Sequence, residues 1–273
     1  MELKEHLKNK LADLGCDLIL VHADVMQGFA LPFINRNSIL PMHMEAIQSL
    51  KLDADIWMPC FNYDFCKGKD YEVNHTPSQV GVLTEYFRLN KAAWRTEVPV
   101  FAFCGTGQNP NINIDGTIDP FGSASAFDYL YQNDALLMHY GSQLYSSTVL
   151  HYAERMSGCL SYRYDKLFLG NVWNATGKKT HVSFNFHVRP LYKHLDYDWG
   201  KIKEDLMLHN LLFTFKNERT HILLCKIKPL IDFWINCMWQ DPLYFLDKES
   251  KAWVAPMLDK LGRIFTIADF EIS

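Results

Sequence analysis

No stretch of about 18 apolar residues in this 273-residue chain is free of charge, which speaks against a membrane-spanning helix and against a membrane partner. No Cys-x-x-Cys pair occurs either. The seven cysteines, Cys16, Cys60, Cys66, Cys104, Cys159, Cys225 and Cys237, are odd in number and scattered. That pattern disfavours a zinc cluster or a disulfide framework and suits reduced thiols in a core. An excess of positive charge is also missing: 27 Lys+Arg face 31 Asp+Glu, for a net charge of −4, so a generic nucleic-acid binder is excluded. Internal repeats, low-complexity tracts and Pro/Gly/Ser linkers are absent, and one continuous domain over 1–273 is expected. Met1 leads into ELKEHLKNKLADLG, where Leu3, Leu7, Leu11 and Leu14 recur at helical spacing. That is an amphipathic helix rather than a signal peptide, and the expected location is cytoplasmic.

What is present suffices for a sizeable core, with 48% hydrophobic and 21% charged residues. CDLILVHAD reads as a buried strand. His22, Ala23 and Asp24 then lie at a strand end, where α/β proteins place ligands, although a histidine satisfied within a loop fits equally well. Further along come a helix after Pro41 (MHMEAIQSLKLD), a strand (ADIWMPCF), a long loop (FNYDFCKGKDYEVNHTPSQV) and a helix (GVLTEYFRLN). A strand (VPVFAFCG), a helix (SASAFDYLYQND) and a strand (ALLMHYGS) follow. This order predicts an α/β fold with a central mixed sheet flanked by helices, an α/β/α sandwich. From about residue 161, LSYRYDKLFLG, KTHVSFNFHV, HILLCKIK and the helix WGKIKEDLMLHNLLF predict a C-terminal elaboration of extra strands and helices.

Chemistry concentrates in SSTVLHYAE, residues 146–154. Ser147 or Thr148 is the expected N-cap of a helix. In the first turn the helix dipole disfavours imidazolium at His151, leaving the ring able to accept a proton. Thr148, His151 and Glu154 are three residues apart and share one face. A neutral imidazole as base for an attacking amine, with a hydroxyl for the oxyanion, suits acyl transfer. By spacing alone the run is more often an ordinary capped helix with a surface His and Glu. H-x-x-E supplies only two ligands, so no metal site is expected.

In order, the chain contains LILVHADVMQGF, DIWMPCFNYDF, HTPSQVGVLTEYFR, AAWRTEVPVFAFCGTG, DPFGSASAFDYLY and STVLHYAE. This succession, over residues 16–158, resembles the aminoglycoside 3-N-acetyltransferase family. The resemblance implies acyl transfer from a coenzyme A thioester, acetyl-CoA or a short hydroxyacyl-CoA, to a sugar amine. It implies that His151 is the base, Glu154 its positioning carboxylate and Thr148 the oxyanion-side hydroxyl. Arg95 and Thr96 match positions associated with the coenzyme, and His22 to Asp24 match its strand-end loop. Residues 1–160 would thus form the coenzyme and catalytic core, and residues 161–273 an acceptor-binding elaboration.

One departure concerns the histidine that usually precedes the proline of the family's arginine segment; Val98 stands there. Another concerns charge. Residues 1–160 hold 11 Lys+Arg against 18 Asp+Glu, whereas residues 161–273 hold 16 against 13. Trp173, Lys178, Lys179 and Arg189 could stack on a base and pair with a pyrophosphate. That combination suits a nucleotide-linked amino sugar, and the resemblance implies such an acceptor, since a branch of similar proteins acylates dTDP-linked amino deoxyhexoses for surface polysaccharide such as lipopolysaccharide O-antigen. An aminoglycoside is the alternative acceptor, and a catalytically silent coenzyme-binding protein a third reading. A homodimer is compatible with the sequence.

Overall fold

The computed structural model describes residues 2–32 and 34–271. The chain opens with α1 (Glu2–Leu14) and enters the sheet as β1 (Leu18–Ala23). It returns through α2 (Arg36–Gln48) to β2 (Asp55–Pro59), then β3 (Tyr71–Glu72), α3 (Val82–Asn90), β4 (Trp94–Arg95) and β5 (Phe103–Gly105). Next come β6 (Thr117–Ile118), α4 (Ala126–Gln132), β7 (Leu136–Tyr140) and α5 (Val149–Ser157). Two hairpins follow, β8 (Tyr164–Trp173) with β9 (Lys179–Val188), and β10 (Phe213–Lys216) with β11 (His221–Lys226), separated by α6 (Trp199–Leu208). Helices α7 (Ile227–Gln240) and α8 (Lys248–Leu261) complete the series.

Seven strands form a mixed sheet in the order β10-β11-β7-β1-β2-β5-β4. Its centre is parallel, β1 lying between β2 and β7, while β11 and β5 join antiparallel at the two sides. Strand β1 is LILVHA and β7 is LLMHY; both are buried almost throughout, as parallel strands covered on both faces must be. Helix α5 packs on α7 over the sheet, with Leu20, Leu137, Met138, Ile231 and Trp234 fully buried in the core. A second sheet, β3-β8-β9-β6, carries the long hairpin in its middle. Because β3 and β6 precede residue 160 and β10 and β11 follow it, both parts of the chain contribute to both sheets.

Three elements differ from the patterning. Helix α2 starts at Arg36, before Pro41, because Asn35 caps it: its Oδ1 accepts from the amides of Asn37 and Ser38, 3.0 Å each, and Ser38 Oγ accepts from the Asn35 amide. Pro41 then lies inside the helix and removes one backbone bond without ending it. VPVFAFCG is strand only over its last residues, since Val100 adopts φ +64° and breaks the extended run. The patterning runs the strand HILLCKIK to Lys228 and assigns no element to 229–261, where α7 and α8 stand; Pro229 and Pro256 within them obscure the helical period.

Candidate active site

The C-terminal ends of β1 and β2 and the segment after β7 open into a cavity of about 850 Å³. Phe186 and Val188 of β9, the segment Arg189 to Trp199 and the start of α3 close its other sides. Glycine makes this convergence possible. Gly141, just past β7, has φ +80°, and a Cβ there would lie 2.0 Å from the Asp24 carbonyl oxygen. Only a residue without a side chain lets the β7 exit approach the β1 exit so closely.

Helix α5 enters the cavity by its N-terminus, with Ser147, Thr148, Leu150 and His151 on the wall. His151 Nδ1 lies 2.7 Å from Glu154 Oε2, so the i,i+3 spacing brings ring and carboxylate together. Glu154 is 1% exposed and has four partners. Tyr162 and Tyr197 hydroxyls donate to Oε1 at 2.8 and 2.7 Å, and Arg163 Nε lies 3.2 Å from Oε2 beside the imidazole. Arg163 also donates to Tyr197 Oη at 2.5 Å and to the His187 carbonyl at 3.1 Å. Burial by itself would push the Glu154 carboxyl up, but the Arg163 charge and then the His151 and Tyr197 hydrogen bonds hold it down at about 2. A carboxylate in that state must accept from His151, so Nδ1 carries the ring hydrogen and Nε2 the lone pair. Burial first, and the Arg163 charge second, lower the His151 pKa below the ordinary histidine value. The ring is a neutral base, oriented by a fixed anion and flanked edge-on by Phe121 at 5.5 Å.

The expected helix cap is not made. Thr148 has helical φ and ψ with no side-chain capping bond, and its Oγ1 reaches only the Ser146 carbonyl at 3.4 Å. Ser147 Oγ turns to His139 Nε2 at 2.8 Å. Thr148 nonetheless lines the cavity with its hydroxyl weakly engaged, free to serve a ligand oxygen.

His22 and Ala23 line the cavity too. His22 is 6% exposed, its Nε2 has no partner among the described residues, and burial lowers its pKa to about 4. Asp24 is exposed and caps the following turn through the Met26 amide at 2.9 Å. Arg95 and Thr96 do not reach the cavity wall. The Arg95 guanidinium is buried over the Tyr71 ring and donates to the carbonyls of Cys60, Val73 and Thr76. Thr96 Oγ1 accepts from the Phe103 amide at 3.0 Å. Four of its five N–H groups serve the fold in this way, Nε donating to Cys60 Sγ at 3.2 Å.

Of the four residues expected to bind the acceptor, only Arg189 lies at the cavity. Trp173, Lys178 and Lys179 sit at the opposite end of the hairpin from Val188. That is about 30 Å along β9 at about 3.3 Å per residue. Trp173 Nε1 donates to Asp70 at 2.9 Å and Lys179 lies over the indole ring, so this cluster pins β8 to the loop before β3. Sequence reasoning missed Tyr162, Arg163 and Tyr197. No spacing rule flags them, since LSYRYD reads as strand and Tyr197 is 43 positions from Glu154. Among the described residues, no group of three or more His, Cys, Asp or Glu side chains converges as a metal site. No helix there is long and apolar enough to cross a membrane.

The architecture has known counterparts. The aminoglycoside acetyltransferase AAC(3)-IVa apoenzyme matches with TM-score 0.66 at 19% identity, over 91% of this chain and 95% of that one. AAC-IIIb, in binary complex with CoASH, matches with TM-score 0.68 at 15% identity, over 88% and 96%. The YokD protein from Bacillus subtilis gives 0.62 at 16% identity, over 88% and 94%. No curated relative matches the chain in sequence. Likenesses at such identities establish a shared fold. The family model for aminoglycoside 3-N-acetyltransferase matches residues 40–239, from α2 through α7 and across the whole His151 site, and the chain belongs to that family.

Proposed function

We propose that the cavity binds acetyl-CoA together with an aminoglycoside and that the protein transfers the acetyl group to one amine of that acceptor. The observation that carries this is the neutral imidazole of His151, held 2.7 Å from the buried Glu154 carboxylate on the wall of a cavity of about 850 Å³. In the reaction the acceptor nitrogen attacks the thioester carbon, an N–C bond forms and the C–S bond breaks. His151 Nε2 takes the proton from nitrogen and returns it to the departing thiolate. Glu154 stabilises the transient imidazolium, while Tyr162, Arg163 and Tyr197 hold Glu154. The Thr148 hydroxyl donates to the oxyanion. No acyl-enzyme is required, because an amine is already a good nucleophile.

Solved proteins of this fold were captured with CoASH, with a gentamicin, with apramycin and with sisomicin, which supports the donor and favours an aminoglycoside acceptor. The nucleotide-sugar reading rested on Trp173, Lys178, Lys179 and Arg189; the first three lie away from the cavity, and only Arg189 remains to support it. Asp196, exposed at the cavity, is a carboxylate suited to an acceptor ammonium. The deciding experiment is a free-thiol assay with acetyl-CoA, offering an aminoglycoside and a dTDP-linked amino deoxyhexose in parallel, each also with His151→Ala. Thiol release with the aminoglycoside alone, lost in the variant, is expected. Release with the nucleotide sugar alone would reverse the acceptor assignment, and silence with both would overturn the enzymatic reading.

A further inference from the structure

We infer that Ser147 and His139 form a second acyl-accepting centre in the same cavity, in which Ser147 takes the acyl group from a thioester when no amine is bound and passes it to water. The inference rests on the proposed binding of an acyl thioester in this cavity, but the pair itself is read from geometry.

His139 lies in β7 and is fully buried. Its Nδ1 is 3.0 Å from Ser142 Oγ and 3.3 Å from Ser146 Oγ, and its Nε2 is 2.8 Å from Ser147 Oγ. A serine hydroxyl has one hydrogen to give. Ser142 gives its hydrogen to the His22 carbonyl at 3.0 Å and Ser146 to the Gln143 carbonyl at 2.7 Å. Both therefore present lone pairs to Nδ1, which must carry the ring hydrogen. Nε2 is left as the acceptor, and Ser147 must donate to it. Burial keeps the ring neutral, since it lowers the His139 pKa well below the ordinary value. A nucleophile within reach of a neutral base, with the base fixed in one tautomer by further partners, is the arrangement that activates a serine.

Two features separate this pair from a histidine merely satisfied in a core. Ser147 or Thr148 is expected to cap α5, yet Thr148 holds the cap position without a side-chain bond and the Ser147 hydroxyl faces His139. Ser147 also lines the cavity beside Thr148 and His151. The ring of His22, stacked on His139 at 5.4 Å, contributes to the same wall a polar Nε2 that has no partner among the described residues. In the first half-reaction the bond from Ser147 Oγ to the acyl carbon forms and the C–S bond breaks. The serine proton passes to His139 Nε2 and on to the leaving thiolate. In the second, His139 takes a proton from a water that attacks the acyl-serine, and the carboxylic acid leaves as the serine is restored. Net, one thioester and one water give one acid and one thiol.

The test uses the full chain without any amine. Acetyl-CoA is supplied in one arm, and p-nitrophenyl acetate or a fluorophosphonate probe, neither of which needs a coenzyme site, in the other. Thiol or nitrophenol release is followed together with peptide mass spectrometry. The expected result is an adduct on Ser147 and slow hydrolysis of both acyl donors, reduced about 100-fold or more in Ser147→Ala and in His139→Gln. The adduct should still form in His151→Ala, where amine acetylation stops. Should His139→Gln fail a thermal-melt check of folding, Ser147→Ala decides alone. The absence of any adduct on Ser147 in both arms, or an adduct on another side chain, overturns the inference. If the small ester and the probe label Ser147 while acetyl-CoA is inert in every arm, the serine centre stands and the coenzyme reading falls.

Discussion

In the proposed reaction His151 acts only as well as Glu154 holds it, and Glu154 stays charged because Arg163, Tyr162 and Tyr197 surround it. His151→Ala is therefore expected to lower kcat about 100- to 10,000-fold with the fold intact, measured by thiol release and a thermal melt. Glu154→Gln should cost stability as well as rate. It strands the buried Arg163 without its anion, a loss of about 3–5 kcal/mol by denaturant unfolding for a pair broken in this way. The pH dependence follows from the same groups. Because the folded pKa of His151 is lowered, its base form persists below the ordinary 6.5, and the acid limb of kcat/KM should fall below that pH. Glu154 titrates at about 2 when folded against an ordinary 4.5, so its contribution to stability is complete above 4.5 and lost as pH falls toward 2. His22, neutral and buried with a pKa of about 4, binds its proton more readily in the unfolded chain. Stability should therefore begin to fall already between pH 6.5 and 4. An acid titration of unfolding free energy that stays flat from pH 6.5 to 4 would contradict this.

Helix α5 and the two strand exits deliver these residues, and glycines set where they end. Gly158 closes α5 at φ +66° with open space around its missing Cβ. Gly158→Ala should lose only the conformational cost of about 1 kcal/mol. Gly141→Ala meets the Asp24 carbonyl in addition to an unfavourable φ. Its loss in a thermal or denaturant melt should exceed the roughly 1–2 kcal/mol of conformation alone and be accompanied by loss of activity, because it pushes the β1 and β7 exits apart. The contrast between the two substitutions is the measurement; equal losses would show that the close approach at Gly141 is unimportant. At this scale the i,i+3 face of Thr148, His151 and Glu154 was legible from spacing. The Arg163 contact was not, because it depends on how the chain turns at Gly158 before β8.

Across the whole molecule the cavity lies between the parallel centre of one sheet and the end of a hairpin in the other. A ligand that binds there ties the two sheets together. Acetyl-CoA at 100 times its Kd should raise stability by about 2.7 kcal/mol, read as an upward shift in Tm that scales with concentration. Lys179→Ala, at the far end of the hairpin, should leave the KM for the acceptor unchanged, whereas Arg189→Ala, at the cavity, should alter it. The reverse result would restore the acceptor role to the basic, aromatic cluster. The charge excess of residues 161–273 was readable from composition, but its placement was not, since one-dimensional clustering says nothing about which end of a 10-residue strand meets a cleft.

Local pattern determined much of this protein by itself. Continuous apolar runs made β1 and β7 buried strands, leucines at helical spacing made α1, and the order of elements made a helix-covered α/β sheet, because burial of apolar faces is dictated by sequence period. The pairing of His151 with Glu154 belongs to the same class, since residues three apart on one helix are neighbours in any fold. Tertiary structure alone decided the remainder. It brought Tyr197 and Arg163 to Glu154, aimed Ser147 at His139 instead of at the helix amides, and closed Arg95 into a buried clamp. It also kept Trp173, Lys178 and Lys179 out of the cavity. These outcomes depend on contacts between segments tens of residues apart and on competition among hydrogen-bond partners that coexist only once the sheets have packed.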